Sequence, residues 1–274
     1  MKRLLVVIAA AAVAAGAVAA GTGVVVLYAG WYDISATNQH LAPTYWALDT
    51  GMRRSVQRRA DRIAVPPLDD ERLVARGLAH FRAHCVQCHG APGVAPAPFA
   101  LGMTPAPASL AYTARAGRPA ELFWVIKYGI KMTGMPAWEF RLTDADAWAI
   151  VAFLRVLPAL SPRDYQALRA PSLAAAEPAT PADADPDRGK AAIHQYACAT
   201  CHRIPGIVGA NAPVGPPLDD LGGRAMLAGR LPNDRDNLER WLRDPQAIKP
   251  GSAMPDLGVT GRDARDIAAY LLEP

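Results

Sequence analysis

Two short stretches constrain this chain more than anything else in it: Cys85-Val86-Gln87-Cys88-His89 and Cys198-Ala199-Thr200-Cys201-His202. Together they hold all 4 cysteines of its 274 residues. Two thiols three apart on a helical turn can each bond one vinyl group of the same porphyrin, and a histidine directly after them turns its imidazole to the iron. Other chemistries use similar pieces. An even cysteine count in an exported chain fits disulfides, a C-x-x-C fits a thiol redox centre, and Cys with His fits zinc. Neither stretch is accompanied by an H-x-x-x-H, an H-E-x-x-H or a second cysteine pair. Two copies, each with its histidine and no cysteine left over, select two covalently bound c-type haems.

The motifs begin at 85 and 198, a spacing that suits one small domain plus a linker. The same order surrounds both: helix, motif, Pro/Gly-rich loop, helix, Met-Pro turn, final helix. The first unit spans 69–158. Its helices carry Leu73, Val74, Leu78 and Phe81 before the motif, then Glu121 to Gly129, then a Thr143-capped helix with Trp148, Ile150, Val151, Phe153 and Leu154. The second spans 187–274, with helices from Gly189, from Asn233 or Asp234, and from Thr260. Between them, 159–186 reads as a linker whose Ala/Pro-rich part, Pro171 to Pro186, is expected to be extended or disordered. The fold expected is all-α, two small haem domains in tandem after a transmembrane helix. Each unit is small enough that a buried porphyrin supplies apolar area its own core lacks.

The N-terminus, 1–32, reads as a signal anchor. Lys2 and Arg3 precede an uncharged run from Leu4 to Tyr32, long enough to span a bilayer, with Tyr28, Trp31 and Tyr32 at its far interface. A cleaved signal is the alternative, since Ala17-Val18-Ala19 has the small-x-small form of a cleavage site. A connector, 33–68, follows. It is expected to be helical in its later part and ended by Pro66-Pro67, and it carries Arg53, Arg54, Arg58, Arg59 and Arg62. This cluster fits a solvated helix face or contact with lipid phosphates or an acidic partner. A net charge of +4, scattered arginines and 7% aromatics give no case for nucleic acid.

Each iron has a second axial position, and each half offers a methionine for it. Met135-Pro136 lies 46 residues after His89, and Met254-Pro255 lies 52 after His202. Met132 is the alternative to Met135; Met103 and Met226 lie earlier in the loops. His80, His84 and His194 precede the motifs on their own helices and are read as surface residues.

Both halves resemble class I cytochrome c domains. Gly77 and Phe81 match the family's Gly-x-x-x-Phe ahead of the motif. Gly215-Pro216-Pro217-Leu218 and Gly223-Arg224 match its haem loop, and Phe153-Leu154 and Tyr270-Leu271 match its last helix. The resemblance implies that the carbonyl of Pro216 accepts a hydrogen bond from His202. It departs at Ile193, where the family has an aromatic, and in the first half no proline among Pro92, Pro96 and Pro98 is identified for His89. The resemblance also implies haem attachment outside the cytoplasm, hence a single pass through the inner membrane with both domains in the periplasm. The implied role is that of an electron carrier, with Cys85, Cys88, Cys198 and Cys201 holding the haems and His89, Met135, His202 and Met254 on the irons. Its partners are then a quinol-oxidising complex or dehydrogenase on one side and a terminal oxidase on the other. The alternatives are a subunit of a larger respiratory or dehydrogenase complex and, with an open haem face, a dihaem peroxidase.

Overall fold

A computed structural model describes residues 2–114, 117–172 and 183–272. Helix α1 (Lys2–Tyr28) has no buried residue and is long and apolar enough to cross a membrane. At 1.5 Å per residue it reaches about 40 Å, past the ~30 Å hydrocarbon core. It stops before Trp31 and Tyr32, so the span is helical over less of its length than the uncharged run suggests.

Helix α2 (Ala42–Ala60) takes up most of the connector. It starts earlier than expected, at Pro43 in its first turn, and ends before Arg62 rather than at Pro66-Pro67. In the first unit follow α3 (Glu71–His80), α4 (Val86–His89), α5 (Pro119–Tyr128) and α6 (Asp144–Val156). A short α7 (Pro162–Ala167) comes next. The second unit has α8 (Pro186–Gln195), α9 (Arg235–Arg243) and α10 (Gly261–Leu272). A two-residue antiparallel pair joins Met226–Leu227 to Leu231–Pro232. The architecture is all-α in both units, as the sequence predicts.

Each unit is built on one crossing, first helix on last, and the crossing is repeated residue for residue. A Cβ on Gly77 would lie 1.9 Å from the Ala149 carbonyl oxygen, and one on Gly189 would lie 2.0 Å from that of Asp266. Only glycine lets α3 meet α6, and α8 meet α10, this closely. Four residues beyond each glycine sits a fully buried side chain, Phe81 or Ile193. Phe81 meets Phe153 with ring centroids 5.2 Å apart. Ile193 packs among Ile267, Ala268 and Leu238, so the second unit fills with an aliphatic what the first fills with a ring.

The arginine before each glycine is also repeated. Arg76 reaches Asp146 at 2.5 Å, and Arg188 reaches Asp263 at 2.6 Å. Both aspartates stand in the first turn of the last helix and take the hydroxyl of a capping threonine: Thr143 Oγ1 to Asp146 at 2.5 Å, Thr260 Oγ1 to Asp263 at 2.8 Å. Burial raises the Asp146 carboxyl, but the Thr143 hydrogen bonds, with His80 and Arg76, outweigh it and hold it below the usual carboxylate range. His80 therefore is not a surface residue: it is buried with Nε2 2.8 Å from Asp146. His84 is half-buried, stacked on His80 and tilted on Trp138. His194 is exposed.

Two segments read as connections are packed parts of the first unit. Val56 and Ala60 of α2 are buried, Asp61 pairs with Arg118 at 2.9 Å, and the Arg59 guanidinium lies 6.0 Å from the Trp124 ring of α5. Arg53 pairs with Asp49 on the same helix. After α6, Tyr165 is buried in the first core, and Arg82 donates to the carbonyls of Tyr165 (2.8 Å) and Leu168 (3.1 Å). The start of the 159–186 segment is thus held by the turn that follows α3, and of its Ala/Pro-rich part residues 173–182 lie outside the described residues.

Candidate functional site

Each motif sits where the first helix of its unit ends. In the first, α3 passes through a π-helical turn, Phe81–Cys85, into the short α4 that carries Cys88 and His89. The second unit has one more residue between its glycine and its first cysteine. Ala197 absorbs it with a left-handed φ of 55°, and Cys198–Thr200 form a 3-10 turn. All four cysteines are free and half-buried. Burial pushes the Cys85 thiol up to about 12, with Cys88 adding to it, and the Cys198 thiol up to about 11. Among the described residues no cluster of three His, Cys, Asp or Glu side chains is arranged for a metal ion.

The histidines are oriented in the same way. His202 Nδ1 lies 2.7 Å from the Pro216 carbonyl oxygen, and His89 Nδ1 lies 2.7 Å from that of Ala108. A carbonyl only accepts, so Nδ1 carries the proton in both rings and the Nε2 lone pair is left for a ligand. Gly215 makes room for one ring: a Cβ there would lie 2.5 Å from His202 Cε1. Gly215 N–H donates to the Cys201 carbonyl at 2.7 Å, tying the loop to the motif.

Ala108 escaped the sequence reading because the search was for a proline nearer His89. The signal lay two residues on. Leu110 and Leu218 stand at the same distance beyond the accepting carbonyls, and both pack against their unit's core.

A methionine packs against the core of each unit. Met135 and Cys85 pack against the first core, with Trp138; Met254 and Cys198 pack against the second, with Trp241. Met132 is 97% exposed with φ 58°, turned away from that core. The Met103 sulfur lies against Gly134, where a Cβ would approach it to 2.7 Å. Both Met-Pro turns share a feature the sequence reading overlooked, a hydroxyl two residues before the methionine. Met135 N–H donates to Thr133 Oγ1 at 3.1 Å, and Met254 N–H to Ser252 Oγ at 3.2 Å. The residues present fit a haem in each unit: a paired-thiol turn, an imidazole with its inner nitrogen satisfied, a half-buried thioether and an apolar wall.

Comparison with known proteins gives a family for each unit. Residues 72–154 match the family model for cytochrome c oxidase, cbb3-type, subunit III, and residues 186–273 match that for cytochrome c. Two curated proteins are similar over shorter stretches. A cytochrome c oxidase subunit 2 of Alkalihalophilus pseudofirmus is 33% identical over 97 residues, covering 35% of this chain and 28% of that protein. A cytochrome c oxidase subunit 2 of a Bacillus species is 38% identical over 65 residues, covering 23% of this chain and 18% of that protein. The chain thus spans less than a third of the length of these relatives. No solved structure matches.

Proposed function

Two cytochrome c-type domains stand in tandem in this chain, and on that premise we propose that it passes single electrons through two covalently held haems, one per domain, toward a terminal oxidase. Such domains imply electron transfer and covalent haem c; the number of haems, their ligands and the partners are our reading. The observation that carries it is the duplicated imidazole geometry, His89 on Ala108 and His202 on Pro216. When bound, haem c supplies a one-electron couple, and a His/Met ligand pair raises its potential.

The residues have distinct roles in this reading. Cys85 and Cys88, and Cys198 and Cys201, hold the two groups by thioether bonds. His89 and His202 present Nε2, kept in place by the carbonyls behind them. Met135 and Met254 would complete the iron's ligand set, with Thr133 and Ser252 holding their backbone. Iron held by two protein side chains would change oxidation state without binding a substrate, which separates a carrier from a peroxidase. Helix α1 anchors the chain in the inner membrane with both domains in the periplasm, where a quinol-oxidising complex or a dehydrogenase supplies the electrons.

A second reading has a specific observation behind it. The names of the matching family model and relatives, subunits of cytochrome c oxidases, favour a place for this chain inside such a complex rather than as a separate carrier. Purification from membranes in mild detergent separates the two by what accompanies the chain. The ligand set is tested by optical and EPR spectra of the full chain. Two low-spin haems with a methionine–sulfur band are expected. Met135→Ala and Met254→Ala each remove that band from one haem, and Met132→Ala leaves it. A resting high-spin haem that turns over peroxide would sink the carrier reading.

A further inference from the structure

Phe140 and Arg141 follow the Met135-Pro136 turn of the first domain, yet their side chains belong to the second. Phe140 is 7% exposed and lies in the buried cluster of Ile193, Tyr196 and Ile267. The Arg188 guanidinium sits 4.8 Å from the Phe140 ring. That cation is itself fixed, by Asp263 at 2.6 Å and by Asp266. The Arg141 guanidinium sits 4.6 Å from the Tyr196 ring and donates to the Gln195 carbonyl at 3.5 Å. Tyr196 in turn donates its hydroxyl to Asp263 at 2.7 Å. A phenyl ring taken out of water by another domain, under a cation locked by buried carboxylates, has the make-up of an interface anchor with its polar surround.

The placement gives this contact a consequence. On the first-domain side it is continuous with the methionine turn, whose far end is pinned by Trp138 N–H to the Ile126 carbonyl at 3.2 Å. On the second-domain side it grips the last turn of α8 and Tyr196, two residues before Cys198. We propose that Phe140 and Arg141 clasp the second domain to the first, fixing the two haem sites relative to each other. An electron that leaves one site then arrives at the other without either domain swinging on the linker. The proposal rests on the two-haem reading above, but the clasp itself is tested without reference to electron flow.

A photo-crosslinking phenylalanine analogue at position 140 of the full chain, irradiated in membranes, reads the contact directly. The expected adducts join it to the segment 185–196 or to α10. Their yield should hold when about ten Gly/Ser residues are inserted between 172 and 183, because a clasp, unlike a tether, does not depend on linker length. Arg141→Glu, at an exposed side chain, should lower the yield about threefold by removing the cation from the Tyr196 ring. Adducts confined to 69–158, or a yield that falls as the linker lengthens, would overturn the clasp. An unchanged yield in the Arg141→Glu chain would remove Arg141 from it. Haem content measured on the same samples reports separately on the two-haem reading: one haem per chain would refute that reading and leave the crosslinks to decide the clasp.

Discussion

Single atoms decide several features of this chain. Gly77 and Gly189 stand against backbone carbonyls that nothing can move without displacing a helix. Alanine at either should cost about 3 kcal/mol, read as loss of stability in denaturant unfolding of the haem-loaded chain. Ala197 is the opposite case, a side chain in a conformation that favours glycine. Ala197→Gly should stabilise the second domain by about 1 kcal/mol in the same experiment. At the Met-Pro turns, Thr133→Val and Ser252→Ala remove the acceptor for a methionine N–H. The methionine–sulfur band of the matching haem should then be lost at milder denaturant than global unfolding, while its partner in the other domain is unaffected.

At the scale of elements, the repeated pairing of first and last helices carries a pH signature. The Asp146 carboxyl is held below the usual carboxylate range in the folded chain. A depressed carboxylate contributes stability that is present above its unfolded value, about pH 4, and is lost as pH falls through the folded one. Asp146→Asn should therefore unfold with less dependence on pH below about 4 than the unaltered chain. At neutral pH it should be less stable by about 3 kcal/mol, since Arg76 and His80 lose their shared partner. The helices themselves were legible. Thr143 with Asp146, the apolar positions of α6 and Gly129 after α5 mark their ends in the sequence. The docking of α2 on α5 was not, because a helix with four arginines reads as solvated until a partner covers Val56 and Ala60. Tyr165 was hidden for a like reason: one aromatic in a polar stretch gives no periodicity, and its burial depends on Arg82 from another helix.

Over the whole molecule, an apolar helix precedes two cytochrome c-type units. Removing 1–32 while supplying a cleavable signal should release the haem domains from the membrane fraction with their spectra unchanged, measured by fractionation and absorbance. The attachment motifs were open to reading because thioether formation and proximal ligation need their three side chains adjacent in the chain. The Met-Pro turns at Met135 and Met254 were open too, since each methionine is marked by the proline after it. The carbonyl behind His89 was hidden, because a backbone oxygen has no residue identity and Ala108 looks like any other alanine. The choice of Met135 over Met132 as the methionine turned to the core, and the reach of Phe140 into the second domain, depend on side-chain directions at turns. The sequence alone determined what can be bonded to this chain and at which residues, because that chemistry is local. Tertiary structure alone decided what stands behind His89 and how one domain meets the other, because those contacts join residues far apart in the chain.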